Sequence, residues 1–262
     1  MRIFDFSDAI VRTPGRSVVR GIRDDPKTVP DFDRVASEHR GYVNALRTVG
    51  LKVEVLPPLE AFPDSVFVED PALVFPNGAI LLRPGAPTRV GENEAIRSIL
   101  KQRFETVLEL AERECVDGGD VLVTPEMVYV GLSARTNREG AEALGKLLDH
   151  LGLNARMVET PKGVLHLKSG VALLDEETLL ASAEIAQSGM FGGFEIIALA
   201  PGEECAANAV RIRDVVFVNA GFPRVVDRLV GKGFRVKPLQ IPEVMKLDAG
   251  LSCMSLRWVD MR

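Results

Sequence analysis

A plan of two short apolar runs around a turn recurs along this chain of 262 residues, and it limits the fold more than any other feature. One copy is SVFVEDPALVFPNGAILLRPG, Ser65 to Gly85, which turns at Pro76-Asn77-Gly78. The next is RECVDGGDVLVTPEMVYVGLSART, Arg113 to Thr136, which turns at Thr124-Pro125-Glu126. VLHLKSGVALLDEETLLASAE turns near Asp175-Glu176-Glu177, and EECAANAVRIRDVVFVNAGFPR turns at Arg213-Asp214. Each copy has the patterning of a hairpin. A last stretch, KLDAGLSCMSLRWV, holds one run only, and FDFSDAIVRTP at the start of the chain is the partner it lacks.

Helical periodicity fills the gaps between these hairpins. Asp33 to Val49 has Val35, Ala36, Tyr42, Val43 and Leu46 on one face, and Gly50 stops it. Glu92 to Phe104 follows the same logic with Ile96, Ile99 and Leu100, and Thr136-Asn137 resembles an N-cap before a run to His150. Pro223 to Val230 is a shorter helix. A third strand follows most helices: KVEVLPP, TVLEL, ARMVET, EIIAL and RVKPLQI. The unit is strand-strand-helix-strand, about five times over. A period of this length belongs to arrays. The fold expected is α/β, a five-bladed ring closed by the N-terminal strand, in one domain spanning residues 1–262. An ordinary mixed αβ sandwich is the alternative.

Equivalent positions early in the first strand of each unit are Glu69, Asp117, His166, Asn208 and Cys253, spaced by 48, 49, 42 and 45 residues. A closed ring brings all five to one axis. All are polar or reactive within apolar runs, where an unpartnered polar group costs about 1–3 kcal/mol. The register points to a polar central pocket with nucleophilic chemistry: a thiol attacks, an imidazole moves protons, carboxylates hold a cation. Each residue also has an ordinary structural reading. Cysteine is often simply buried, a strand histidine often only hydrogen-bonds, and Asp117-Gly118-Gly119 suits a turn. Cys115 and Cys205 read as core thiols, and His39 and His150 as surface residues. Asp64, Glu69 and Asp70 form an acidic segment that wants a cation. A guanidinium fits, being planar and rich in donors. No HxxxH or CxxC spacing supports a metal.

Composition narrows the rest. The chain is 46% hydrophobic and 26% charged, enough for a sizeable core and too apolar for disorder. A net charge of -5 argues against a nucleic-acid partner. No run approaches a membrane span, and MRIFDFSDAIVRTP lacks the apolar stretch of a secretory signal. Three cysteines form no disulfide framework. The expectation is a cytoplasmic protein with reduced thiols.

In order along the chain, FPDSVFVEDP, RPGAPTR, DGGDVL, GLSARTN, LHLKSG and GLSCMSLR closely resemble the dimethylarginine dimethylaminohydrolases of the guanidino-group-modifying, or pentein, superfamily. RTPGRSVVRGI resembles the bacterial members in particular. The resemblance covers Ile10 to Trp258 and implies a five-bladed α/β propeller with its active site on the axis. It implies hydrolysis of Nω-methylated L-arginine to L-citrulline and methylamine or dimethylamine. By motif, Cys253 matches the nucleophile and His166 the general acid/base. Asp117 matches the carboxylate that orients His166 and contacts the guanidinium, a position held by Glu in several bacterial relatives. Asp64, Glu69 and Asp70 match the acidic segment that binds the guanidinium and supports the pocket. Arg89 and Arg135 match the pair that hold the substrate carboxylate. Ile22 and Leu247 fall where main-chain oxygens receive the substrate amino group. Gly15 to Thr28 matches a mobile lid, here with Arg20 and Arg23. No cofactor and no metal are implied, and the assembly expected is a monomer or homodimer. A sister guanidino or ureido hydrolase, such as a citrulline hydrolase or a small arginine deiminase, is the first alternative. A non-enzymatic propeller is the second, and it would have a degenerate axis.

Overall fold

Five three-stranded sheets built to one plan make up residues 3–260, the part of the chain described by this computed structural model. The chain runs β1 (Asp8–Arg12), α1 (Phe32–Thr48), β2 (Lys52–Leu56), then β3 (Ala72–Phe75), β4 (Gly78–Leu81), α2 (Glu92–Arg103), β5 (Val107–Glu109). It continues through β6 (Val121–Val123), β7 (Val128–Leu132), α3 (Arg138–His150), β8 (Ala155–Glu159), then α4 (Leu167–Gly170), β9 (Val171–Leu173), β10 (Thr178–Ala181), α5 (Ala183–Gln187), β11 (Glu195–Ala198). The last segment is β12 (Val210–Ile212), β13 (Val215–Asn219), α6 (Pro223–Gly231), β14 (Arg235–Leu239), α7 (Pro242–Met245) and β15 (Leu256–Trp258).

In four sheets the middle strand pairs antiparallel with the strand before it and parallel with the strand after its helix. The parallel pairing needs a crossover, and each helix supplies one. The fifth sheet is assembled from both ends of the chain. There β1 pairs with β2 in parallel and with β15 antiparallel, Asp8 opposite Trp258 and Ile10 opposite Leu256. That is the ring closure expected from the unpaired final run.

The apolar core is distributed around the ring. One cluster joins α1 and β1 to β12, β13 and α7, and another joins β1 and β15 to β3, β4 and α2. Three more fill the junctions between the second and third, third and fourth, and fourth and fifth sheets. Each long helix therefore buries its apolar face between two neighbouring blades. Local signals place the helix starts. Asp31 accepts the Arg34 backbone N–H at 2.9 Å ahead of α1, and Asn137 accepts that of Gly140 at 2.7 Å ahead of α3. No helix among the described residues is long and apolar enough to cross a membrane.

Three details differ from the sequence reading. The fourth blade has a helix, α5, whose five residues are too few to show a period. His39 is not at the surface: it points inward from α1 and is 2% exposed. Cys115 and Cys205 are not core thiols, since the first is half-buried and the second exposed.

Candidate active site

The axial positions do not sit inside the first strands, as the spacing suggested, but in the short turns that lead into them. Glu69 lies just before β3, and Asp117 precedes a 3-10 turn, Gly118–Asp120, that enters β6. His166 is the N-cap of the one-turn helix α4. Asn208 follows a 3-10 turn, Glu204–Ala207, and Cys253 lies within another, Ser252–Met254, before β15. Turns rather than strands suit the task, because they aim side chains along the axis while the strands line it. Close packing of turn on turn explains one glycine: a Cβ on Gly118 would lie 2.0 Å from the Glu69 carbonyl oxygen.

His166 and Asp117 form a buried pair, Nε2 to Oδ2 at 2.9 Å. The other oxygen of Asp117 accepts the Gly85 N–H at 2.7 Å. Asp120 holds the imidazole's turn from below. Its Oδ1 accepts the Leu167 N–H at 2.9 Å, and its Oδ2 accepts the hydroxyls of Ser133 and Thr136 at 2.6 and 2.7 Å. Burial disfavours a charged ring, but the Asp117 hydrogen bond and the charges of Asp70 and Asp120 outweigh it and raise His166 to about 9. The imidazole is therefore a cation at neutral pH.

Asp70 faces the same ring. Its Oδ1 accepts the Gly119 N–H at 3.0 Å, and its Oδ2 is paired with Arg89. Although burial opposes its charged form, Arg89 and His166 hold the carboxyl below its ordinary value. Arg89 is itself 4% exposed and committed to protein oxygens. It donates to both oxygens of Glu92, at 3.0 and 2.7 Å, and to the carbonyls of Asp64 and Phe67, at 3.2 and 3.0 Å. Ligand atoms of Asp70, Asp117 and His166 lie within 4.8 Å of one another, so two carboxylates and the imidazole face one small space.

Glu69 points to the floor instead. Lys168 Nζ lies 2.6 Å from its Oε1, Ser252 Oγ donates to its Oε2 at 2.9 Å, and Arg257 approaches at 3.3 Å. Beneath this floor a cavity of about 160 Å³ runs between the first strands of the blades. Cys253 is half-buried above it. Burial, with the charges of Glu69 and Asp70, pushes its thiol up to about 12.

A second cluster lies at the lid. The Ile22 N–H donates to Asp64 Oδ1 at 2.9 Å, and a Cβ on Gly21 would touch both Asp64 and Leu247 at 2.9 Å. Asp64 has its carboxyl raised by burial, against the pull of Arg89. Asp24 N–H donates to Asp248 at 2.6 Å. Arg23 folds back on the carbonyls of Val19 and Gly21 at 3.1 and 2.9 Å, whereas Arg20 is exposed. Arg135 is half-buried, with the charges of Asp64 and Asp248 near it.

The candidates thus separate into two groups. Asp70, Asp117, His166, Glu69 and Cys253 cluster at the axis, and Ile22, Asp64, Leu247 and Arg135 at the lid. Arg89, expected to pair with Arg135, sits instead inside the acidic network. Sequence reasoning passed over Glu92, Asp120, Lys168 and Arg257, the partners of the residues it found. Lys168 and Asp120 lie inside quoted motifs, LHLKS and DGGD, but nothing in a linear motif says which residue answers which charge.

Comparison with known proteins bears on this arrangement. The family model for N,N dimethylarginine dimethylhydrolase, eukaryotic, matches residues 28–188. A curated N(G),N(G)-dimethylarginine dimethylaminohydrolase from Pseudomonas aeruginosa is 39% identical over 97% of this chain and 100% of its own. One from Streptomyces coelicolor is 31% identical over 95% of this chain and 96% of its own. The solved structure of the Pseudomonas aeruginosa protein, a cysteine-to-serine mutant complexed with citrulline, superposes with a TM-score of 0.94 over 97% of this chain and 100% of that one.

Proposed function

The chain belongs to the dimethylarginine dimethylaminohydrolase family, and from that premise we propose that its axial site hydrolyses Nω-methylated L-arginine to L-citrulline and methylamine or dimethylamine. The substrate is a small arginine derivative. The observation that carries the reading is the buried His166–Asp117 pair on the same axis as a thiol, above a cradle of carboxylates.

The guanidinium enters the cradle of Asp70 and Asp117, with Glu69 beneath. At the lid, the main-chain oxygens of Ile22 and Leu247, with Asp64, receive the α-amino group. Arg135 takes the α-carboxylate. Arg89 joins it only by exchanging a protein oxygen for a substrate one.

The bound cation lowers the pKa of the Cys253 thiol, since an opposite charge nearby favours the thiolate, and the thiol proton passes to solvent because His166 already holds one. The thiolate attacks the guanidinium carbon, and an S–C bond forms. His166, already protonated, gives its proton to the substituted nitrogen. The C–N bond breaks and a neutral amine departs, which is far easier than loss of an amide anion. An S-linked thiouronium remains on Cys253. Neutral His166 then takes a proton from water as the water oxygen adds to the same carbon. The S–C bond breaks, the hydroxyl on the carbon gives its proton to the departing thiolate, and neutral citrulline leaves. Acid–base help of this kind contributes about 10²–10⁴-fold.

The test is citrulline release from asymmetric dimethylarginine, monomethylarginine and plain arginine, with Cys253→Ser alongside. Release from the methylated substrates, abolished in the variant, is expected. Turnover of arginine alone would move the protein to a sister activity on the same fold, and release by Cys253→Ser would sink the nucleophile assignment. The same material, run by size exclusion with light scattering, reads whether the enzyme is the monomer or homodimer we propose. The proposal also takes 1–262 as one domain working in the cytoplasm.

A further inference from the structure

Asn208 occupies the fourth axial position, and no step of the reaction above uses it. Its side chain is buried, 7% exposed, and both ends of its amide address the turn that holds the thiol. Oδ1 accepts the Ser252 backbone N–H at 2.9 Å. Only the oxygen of an amide can meet a backbone N–H, so this bond sets which way the group faces. Nδ2 is thereby turned toward Cys253 Sγ, 3.7 Å away. Packing holds it there: a Cβ on Gly250 would lie 2.3 Å from Asn208 Cγ.

We propose that Asn208 is a catalytic residue, whose side-chain N–H donates to the Cys253 thiolate and stabilises it. This rests on Cys253 being the nucleophile. A neutral thiol sulfur is a weak acceptor, and hydrogen bonds strengthen when the acceptor is ionised. The bond therefore favours the reactive form over the resting one. The charged groups that face the sulfur do not supply this help on balance. Glu69 and Asp70, from the segment ahead of β3, oppose the thiolate, while Lys168 of α4 and the Gly250 N–H favour it. Lys168 is already engaged with Glu69 at 2.6 Å. Asn208 offers a donor that brings no compensating anion. Its N–H also receives the sulfur when water expels it from the thiouronium, because the group leaving the carbon is again a thiolate.

The measurement is the rate of Cys253 alkylation by iodoacetamide against pH, in the wild type, Asn208→Asp and Asn208→Ala. Cys253→Ser corrects for Cys115 and Cys205. Asn208→Asp keeps the shape and the acceptor for Ser252 but puts an anion where the donor was. Asn208→Ala removes both groups and adds no charge. Both variants should alkylate roughly 10- to 100-fold more slowly at pH 8, as expected for losing a hydrogen bond to a charged group. Their rate curves should move to higher pH, and kcat/KM should fall in step, further for Asp. A wild-type alkylation curve in either folded variant overturns the proposal, even if activity drops, because Asn208 would then only pack the turn. If one variant does not fold, by near-ultraviolet circular dichroism, the other decides. Failure of the premise is separately visible as citrulline release by Cys253→Ser.

Discussion

Cys253 and His166 hold their protons in an order that dictates how the rate must depend on pH. The reacting pair is a thiolate and an imidazolium. Burial and two carboxylates push the thiol to about 12, and neighbouring acids lift the imidazole to about 9 despite its burial. In the free enzyme the thiolate fraction grows with pH while the imidazolium persists up to about 9. Since kcat/KM reports the free enzyme, it should rise about tenfold per pH unit through the neutral range and level off near pH 9. A profile flat from pH 7 to 9 would mean that the resting enzyme already holds an ion pair of thiolate and imidazolium. Part of this site was legible residue by residue. The chemistry-bearing side chains, Cys253, His166, Asp117 and Glu69, stand out as polar breaks in apolar runs, and Asp70 and Arg89 through their motifs. Their partners, Glu92 for Arg89 and Lys168 and Arg257 for Glu69, do not. Lys168 and Arg257 come from positions that only folding brings to Glu69.

Among the elements, the lid from Gly15 to Thr28 is held by a few identifiable bonds. Its 3-10 turn, Arg16–Arg20, is tied at the start by Glu60, whose two oxygens accept the N–H groups of Arg16 and Ser17 at 2.7 and 2.8 Å. Further along, Asp64 takes Ile22 and Asp248 takes Asp24, at 2.9 and 2.6 Å. Asp248 follows α7, which is itself anchored on α1 by reciprocal carboxylates. Glu38 accepts the N–H groups of Glu243 and Val244 at 2.9 and 3.0 Å, and Glu243 accepts that of Asp31 at 2.8 Å. The lid and the Leu247 turn are thus one coupled unit. Glu60→Ala should free the start of the lid without touching the axis. KM for the methylated substrate should rise several-fold while kcat changes little, and limited proteolysis should cut residues 15–28 faster. A fall in kcat at unchanged KM would show that the lid positions the reacting groups as well as the substrate.

For the molecule as a whole, two buried histidines set opposing limits on stability. His39, desolvated on α1 with Arg40 near it, is lowered to about 4. As pH falls from 6.5, the unfolded chain gains a proton there that the native protein refuses, so stability is lost between about 6.5 and 4. His166 works the other way. Raised to about 9, it keeps a proton that the unfolded chain gives up, so stability is lost as pH climbs from 6.5 to 9. Each slope amounts to about 3 kcal/mol across its window. Thermal unfolding should therefore peak near pH 6.5, and His39→Leu should flatten the acid side while leaving the alkaline side as it was. An acid slope that survives His39→Leu would rule out His39 as its origin, because the buried carboxyls of Asp64, Glu92 and Asp120, raised by burial, act in the opposite direction.

Much of the architecture was settled by local pattern. The hairpin runs, the cap at Thr136-Asn137 and the register of 48, 49, 42 and 45 residues name the blades and their number. Even the ring closure is implied by one run without a neighbour, because an unpaired strand must find its hydrogen bonds somewhere. What tertiary structure alone decided is where that register points. The axial residues stand in turns before the strands, His39 faces inward, and Arg89 is spent on Asp70 and Glu92. Periodicity reports which face of an element is apolar. It does not report which buried charge finds which partner, because that follows from distances that exist only once the turns and helices have packed.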